Sequence, residues 1–215
     1  MAGKRGILFV HGIVGNNQIF DFLKPLIGSD DIVRYVFLEG HRGNALDFSR
    51  ATMSRWKAQV KDAIDEMSSL CDMVIGVGHS MGCLLLMEQA SLPKMRGLLL
   101  LNPPLRIRLR FTLIKNAIKV MMGQGKDDPV IQAAQDAYGV SIDFNPFHYY
   151  GWPARYAELF VEIRRVREKV LPYITIPIKS FLSRKDELVA LASKRYIDTL
   201  PNASTVVLEG STHYY

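Results

Sequence analysis

The sequence predicts an α/β fold, a mostly parallel sheet of about six strands with helices on both faces. Three observations carry that expectation. Short apolar runs recur along the chain, each closed by a turn-forming segment, and stretches with helical apolar spacing lie between them. The runs are continuously apolar rather than alternating, as strands covered on both faces are. The chain has 215 residues and is 48% apolar, which supports one globular domain with a full core.

The first run, Gly6-Ile7-Leu8-Phe9-Val10, ends in His11-Gly12-Ile13-Val14-Gly15-Asn16-Asn17. A glycine-containing turn at the carboxyl end of a strand leaves backbone N–H groups free to donate to an oxyanion. Gln18 to Ile27 has helical spacing in Ile19, Phe20, Phe22, Leu23, Leu26 and Ile27. Ile32 to Phe37 reads as the second strand, ending in the glycine-rich turn Leu38 to Asn44. One long helix is expected from Leu46 to Leu70, with Asp47 or Ser49 as its start.

Met73-Val74-Ile75-Gly76-Val77 is the third strand, and Cys83 to Ala90 the helix that follows it. Between them lies Gly78-His79-Ser80-Met81-Gly82, a Gly-x-Ser-x-Gly sequence. On a sharp strand-to-helix turn such a serine sits in a strained conformation with its hydroxyl exposed. The two glycines omit side chains where strand and helix come close. The helix N-terminus offers unpaired N–H groups to a developing negative charge. Gly97 to Asn102 is the fourth strand, stopped by Pro103-Pro104.

The rhythm then changes. Leu105 to Met122 and Val130 to Tyr138 read as helices, Asn145 to Pro153 as a turn-rich aromatic segment, and Ala154 to Leu171 as an amphipathic helix. The insert is too long for a plain crossover. Residues 105–175 are therefore expected to form a helical cap over the carboxyl ends of the strands, with residues 1–104 and 176–215 as the core domain. Ile176 to Leu182 returns to the sheet, Ala190 to Leu200 is a helix, and Ser204 to Leu208 is the last strand.

Charge and cysteine content narrow the function classes. The net charge is +6, yet no basic run with interleaved aromatics appears, so no nucleic-acid partner is expected. Arg106, Arg108 and Arg110 could approach an anionic lipid surface, but a solvated cap exterior is the preferred reading. The two cysteines, Cys71 and Cys83, lack metal-ligand spacing, no apolar run reaches bilayer length, and the first residues, lacking an apolar h-region, are not expected to act as a signal peptide. Free thiols and a cytoplasmic location follow as expectations. No metal or organic cofactor is indicated, and the oligomeric state is left open.

A serine hydroxyl needs a base within hydrogen-bond reach, and the base needs an acid to fix its tautomer. Strand ends supply all three: Ser80 after the third strand, Asp186 after the fifth and His213 after the last. Glu187 and Asp198 are rival acids. His11, His41, His79 and His148 are read as flanking or loop histidines.

With these residues in view, the chain resembles the α/β-hydrolases of the carboxylesterase and monoacylglycerol-lipase type. His11-Gly12 with Gly15-Asn16 resembles the family's oxyanion turn. Gly40-His41-Arg42-Gly43 resembles its P-G-H-G turn, with Glu39 in place of proline. Gly78 to Gly82 resembles its nucleophile elbow, Asp186 with Val189 its acid turn, and Gly210 to His213 its G-x-x-H ending. The resemblance implies oxyanion donors at the backbone N–H groups of Ile13 and Met81. Cys83 stands where many members have a second glycine. Most members end in a helix after the histidine, whereas this sequence stops at Tyr215. Either the protein lacks that helix or its chain continues beyond Tyr215, and absence of the helix would leave part of one sheet face uncovered.

The resemblance implies a serine hydrolase acting on a carboxylic ester of a small or acyl-chain substrate, through a Ser80–Asp186–His213 triad and an acyl-enzyme. Thioester, lactone or carbon–carbon cleavage by the same triad is the alternative. A non-catalytic binding protein of the same fold is the second, and retention of all three triad residues counts against it.

Overall fold

The computed structural model describes residues 3–108, 136–141 and 144–214. Strands β1 (Arg5–Val10), β2 (Ile32–Val36), β3 (Met73–His79), β4 (Met95–Leu101), β5 (Ile178–Ser183) and β6 (Ala203–Leu208) form one sheet. Their order is β2-β1-β3-β4-β5-β6. Every neighbouring pair is parallel, so all six carboxyl ends open on one edge. Because β3 lies between β1 and β4, the turn after it is flanked by the turns that close those two strands. Functional residues at strand ends far apart in sequence are thereby gathered at one place.

Alternation along the strands sorts the core into two layers. Leu8, Val10, Val74, Leu98 and Leu100 face one side. There they meet α2 (Met53–Leu70) through Trp56, Val60, Ile64 and Met67, and α3 (Met81–Glu88) through Leu84, Leu85 and Leu86. Leu159 and Ile163 of α4 (Trp152–Arg165) join the same layer. Phe9, Val77 and Leu101 face the other side, covered by Ile19 and Phe20. On that side Ile75, Leu99 and Phe181 stay half-buried.

Several elements differ from expectation, each for a local reason. The expected single helix from Leu46 is two: α1 (Ala45–Arg50) and α2. Asn44, not Asp47 or Ser49, caps the first, accepting the Leu46 and Asp47 N–H groups while the Asp47 carboxylate accepts its own N–H. Thr52 caps the second by accepting the Arg55 N–H at 3.3 Å. Two good capping residues thus divide one apolar stripe. The segment expected as a helix from Gln18 is a 3₁₀ helix, Asn17–Leu26, with Pro25 near its end lacking an N–H donor.

Leu105 does not begin a helix, since Ile107 bridges Val189 in antiparallel fashion. The rest of that expected helix, with Arg110, lies outside the described residues, as does most of the expected helix at 130–138. The described end of the latter pairs Tyr138 with Gly15 instead. α4 stops at Arg165, continued by a π turn (Val166–Val170) and a 3₁₀ turn (Leu171–Tyr173) carrying Pro172. The expected helix at Ala190 shrinks to a 3₁₀ turn and the four-residue α5 (Lys194–Ile197).

Candidate active site

Ser80 joins β3 to α3 with φ +49° and ψ −120°. A non-glycine residue there costs about 1–3 kcal/mol, so the surroundings must hold it. Its N–H donates to the Leu101 carbonyl at 2.9 Å and its carbonyl accepts from Cys83 at 3.0 Å. A Cβ on Gly78 would lie 2.8 Å from the Cys83 Cα, and one on Gly82 would collide with the Val10 carbonyl. Both glycines are therefore required for the helix to approach β1 and β3. Cys83 fits as the Sγ donates to the Gly78 and Leu101 carbonyls at 3.2 and 3.3 Å, and burial pushes this thiol up. Ser80 Oγ makes no cap bond to its own helix and is hydrogen-bonded to no described residue.

Asp186 and His213 come together from the ends of β5 and β6. His213 Nδ1 donates to Asp186 Oδ2 at 2.7 Å, and both residues are buried. Asp186 Oδ1 accepts the N–H groups of Leu188 and Val189, each at 2.7 Å. The carboxylate is thus aimed by its own turn, and the bond at Nδ1 leaves His213 Nε2 as the proton acceptor. The rival Asp198 is instead paired with Lys194 on α5. Glu187 is half-buried next to the pair and makes no hydrogen bond to His213 among the described residues.

The turn after β1 lies directly against the serine: a Cβ on Gly12 would sit 3.0 Å from that of Ser80. Among the described residues, neither the Ile13 N–H nor the Met81 N–H has an acceptor. Met81 is the first residue of α3, where no intrahelical partner exists. Val14, next to Ile13, has φ +48°, a costly conformation for a β-branched residue. It is held from both sides. Its N–H donates to His41 Nε2 at 3.0 Å and its carbonyl accepts from Gly139 at 2.7 Å. Residues 136–141 thus brace the turn, with Asn16 N–H donating to the Ala137 carbonyl at 3.0 Å.

Three of the four histidines expected as loop or flanking residues, His11, His41 and His79, are built into this scaffold. His41 Nδ1 donates to the Glu39 carbonyl at 3.1 Å, which leaves Nε2 to accept from Val14. Glu39, where the resembled family has proline, uses its N–H to donate to Gln59 at 2.8 Å, a bond proline could not make. His11 Nδ1 donates to the Gly12 carbonyl at 2.8 Å and its Nε2 accepts from Leu38 at 3.3 Å. His79 Nε2 donates to the His213 carbonyl at 2.9 Å. Little in the sequence separates these from solvated histidines except their places beside turn glycines. Asn102, whose signal was only an asparagine closing a strand, also proves fully buried.

Burial lowers His11 and His79 to about 3 and His41 to about 4. These groups gain protons in the unfolded chain near the ordinary 6.5 and in the native state only near 3–4. The unfolded state therefore binds more protons in between, so stability is present above that ordinary value and is lost as pH falls through the window. The slope approaches about 1.4 kcal/mol per pH unit for each histidine. Denaturant unfolding at pH 7 and at about pH 5, above most carboxylate titrations, should show this loss. An unchanged unfolding free energy would mean that these rings are not held neutral.

Among the described residues no cluster of His, Cys, Asp and Glu could hold a metal ion, and no helix is long and apolar enough to cross a membrane. Arg106 and Arg108 are exposed.

Comparison with known proteins follows the same outline. Residues 7–215 match the family model described as "Alpha/beta hydrolase family". No curated protein sequence matches the chain. Among solved structures, one reported for LipS and LipT, two metagenome-derived lipolytic enzymes, is similar with a TM-score of 0.73 and 22% identity. That match covers 99% of this chain and 86% of the other. The monoacylglycerol lipase of Paleococcus ferrophilus is similar with a TM-score of 0.68 and 16% identity, over 97% and 85% of the two chains. A thioesterase domain from the curacin biosynthetic pathway matches with a TM-score of 0.66 and 16% identity, over 99% and 86%. At such identities the likeness is one of fold.

Proposed function

The chain belongs to the alpha/beta hydrolase family, and on that premise we propose that it is a serine hydrolase cleaving a carboxylic ester. The observation that carries the reading is the buried His213–Asp186 bond at 2.7 Å, formed at the same sheet edge as the strained Ser80. In this reading His213 Nε2 takes the Ser80 proton as Oγ attacks the ester carbonyl. Asp186 holds the ring in the required tautomer and stabilises the imidazolium. The oxyanion accepts from the Ile13 and Met81 N–H groups, which need no reorganisation at that moment. Collapse expels the alcohol with the proton from His213. Water, deprotonated by the same histidine, then releases the acid from Ser80. The Ser80–His213 hydrogen bond is proposed to close when substrate binds, as catalytic bonds commonly tighten in the Michaelis complex.

Residues 105–175 are proposed as a cap above this edge. Residues 136–141 support that place, since they pair with the turns after β1 and β2, whereas Leu159 and Ile163 of α4 pack into the core layer with α2 and α3 and so extend the covered sheet face instead. In this reading the cap sets substrate specificity, as variable inserts on a fixed scaffold do, and the protein is cytoplasmic.

A fluorophosphonate probe tests the reading, because it labels only an activated serine. It is expected to label the wild type at Ser80 and to leave Ser80→Ala unlabelled. Turnover of p-nitrophenyl esters of graded chain length, beside a matched thioester, then gives the substrate class. Absence of labelling in the folded protein would favour the non-catalytic reading.

A further inference from the structure

Asn102 closes β4 with φ +49°. Its backbone N–H donates to the Phe181 carbonyl at 2.8 Å. Its side chain reaches the ends of both following strands. Oδ1 accepts the Ser183 N–H at 2.8 Å, while Nδ2 lies 3.2 Å from Ser183 Oγ. Nδ2 also donates to the Thr212 carbonyl at 3.3 Å and to the His213 carbonyl at 3.2 Å. The partners fix the amide's orientation, with a backbone N–H on one side and two carbonyls on the other. His79 donates to the same His213 carbonyl at 2.9 Å, and its ring centroid lies 4.9 Å from that of His213. The residue before Ser80 and the residue closing the next strand therefore meet on the main chain of His213.

We propose that Asn102 and His79 are positioning residues, a two-point clamp on the His213 carbonyl that keeps the imidazole within reach of Ser80. The inference rests on the serine-hydrolase reading above. The need for a clamp follows from where His213 stands. It lies on a loop beyond β6, and a Cβ on Gly210 would meet nothing within 4 Å. Lys185 N–H donating to the Ser211 carbonyl at 3.2 Å is the backbone bond that tethers this loop among the described residues. Asp186 orients the ring through Nδ1 but leaves its distance from Ser80 to be fixed elsewhere. Two donors on the carbonyl hold the Cα. Asparagine suits the post because it tolerates positive φ and carries both a donor and an acceptor.

The test uses conservative variants of the full chain. Asn102→Asp keeps the shape, the tolerance of positive φ and the acceptor for Ser183, but turns an acceptor towards the carbonyls. His79→Phe keeps a ring and removes the donor, and His79→Gln offers an N–H again. A base displaced by about 1 Å costs on the order of a hundredfold. Asn102→Asp and His79→Phe are each expected to lower kcat by about tenfold to a hundredfold on that scale, with KM changed less than about twofold. His79→Gln should recover most of the loss. Circular dichroism and thermal melts establish that the variants fold, and should Asn102→Asp not fold, the His79 pair decides. Wild-type kcat in folded His79→Phe, or no recovery in His79→Gln, would overturn the clamp. The low-field NMR signal of the His213 Nδ1 proton gives a readout that needs no substrate. It should shift in folded variants, and an unmoved signal would overturn the clamp as well. A wild type that shows this signal but neither ester turnover nor fluorophosphonate labelling would instead sink the serine-hydrolase reading.

Discussion

Ser80→Ala is expected to lower kcat/KM for a p-nitrophenyl ester by about four to six orders of magnitude, the loss seen when a triad nucleophile is removed. The fold should survive. Ser80 makes no cap bond to α3, and its strained backbone is held by the Leu101 carbonyl and the Cys83 N–H, which alanine leaves in place. A thermal melt close to that of the wild type is the check. His213→Ala should cost as much. Asp186→Asn should cost about 10⁴-fold, because an amide at the Oδ2 position favours the wrong imidazole tautomer. Its Oδ1 can still accept from Leu188 and Val189, so the acid turn keeps its shape. Full activity in Asp186→Asn together with loss in Glu187→Gln would move the acid by one residue. Wild-type turnover in Ser80→Ala would remove the proposed mechanism altogether.

Ile13→Pro is expected to cost about 3 kcal/mol of transition-state stabilisation, the usual loss for one oxyanion donor. The substitution removes an N–H that no described residue accepts, together with the packing of the Ile13 side chain against the core. Ile13→Ala keeps the N–H and should keep most of kcat, which separates the donor from the side chain. The neighbouring turn is stiff enough for the comparison, because Val14 is held at both its N–H and its carbonyl. A folded Ile13→Pro protein with near-normal kcat would place the donor elsewhere.

These expectations were largely legible in the sequence where the signal was local. Continuous apolar runs marked β1, β3 and β4, and turn glycines marked the carboxyl ends of β1, β2, β3 and β6. Helix boundaries were less legible. Asn44 and Thr52 are both sound caps, and only the path of the chain between α1 and α2 makes both operate. The segment at 17–26 carries the apolar spacing of an α-helix yet winds as 3₁₀, with Pro25 inside and Leu26 left 76% exposed. Spacing alone does not distinguish the two windings over so short a stretch.

The sequence by itself determined the fold class, the glycines around Ser80 and the order in which serine, acid and histidine arrive. Each of these is a property of neighbours along the chain: apolar period, missing side chains, strand followed by turn. Only the tertiary structure decided which buried polar atoms satisfy one another. Val14 N–H meets a ring 27 positions away, and the Asn102 amide meets a carbonyl 111 positions away. No local pattern specifies such partners. They are chosen because a buried donor or acceptor left unpaired costs about 1–3 kcal/mol, and the packed sheet offers each only a few groups within reach.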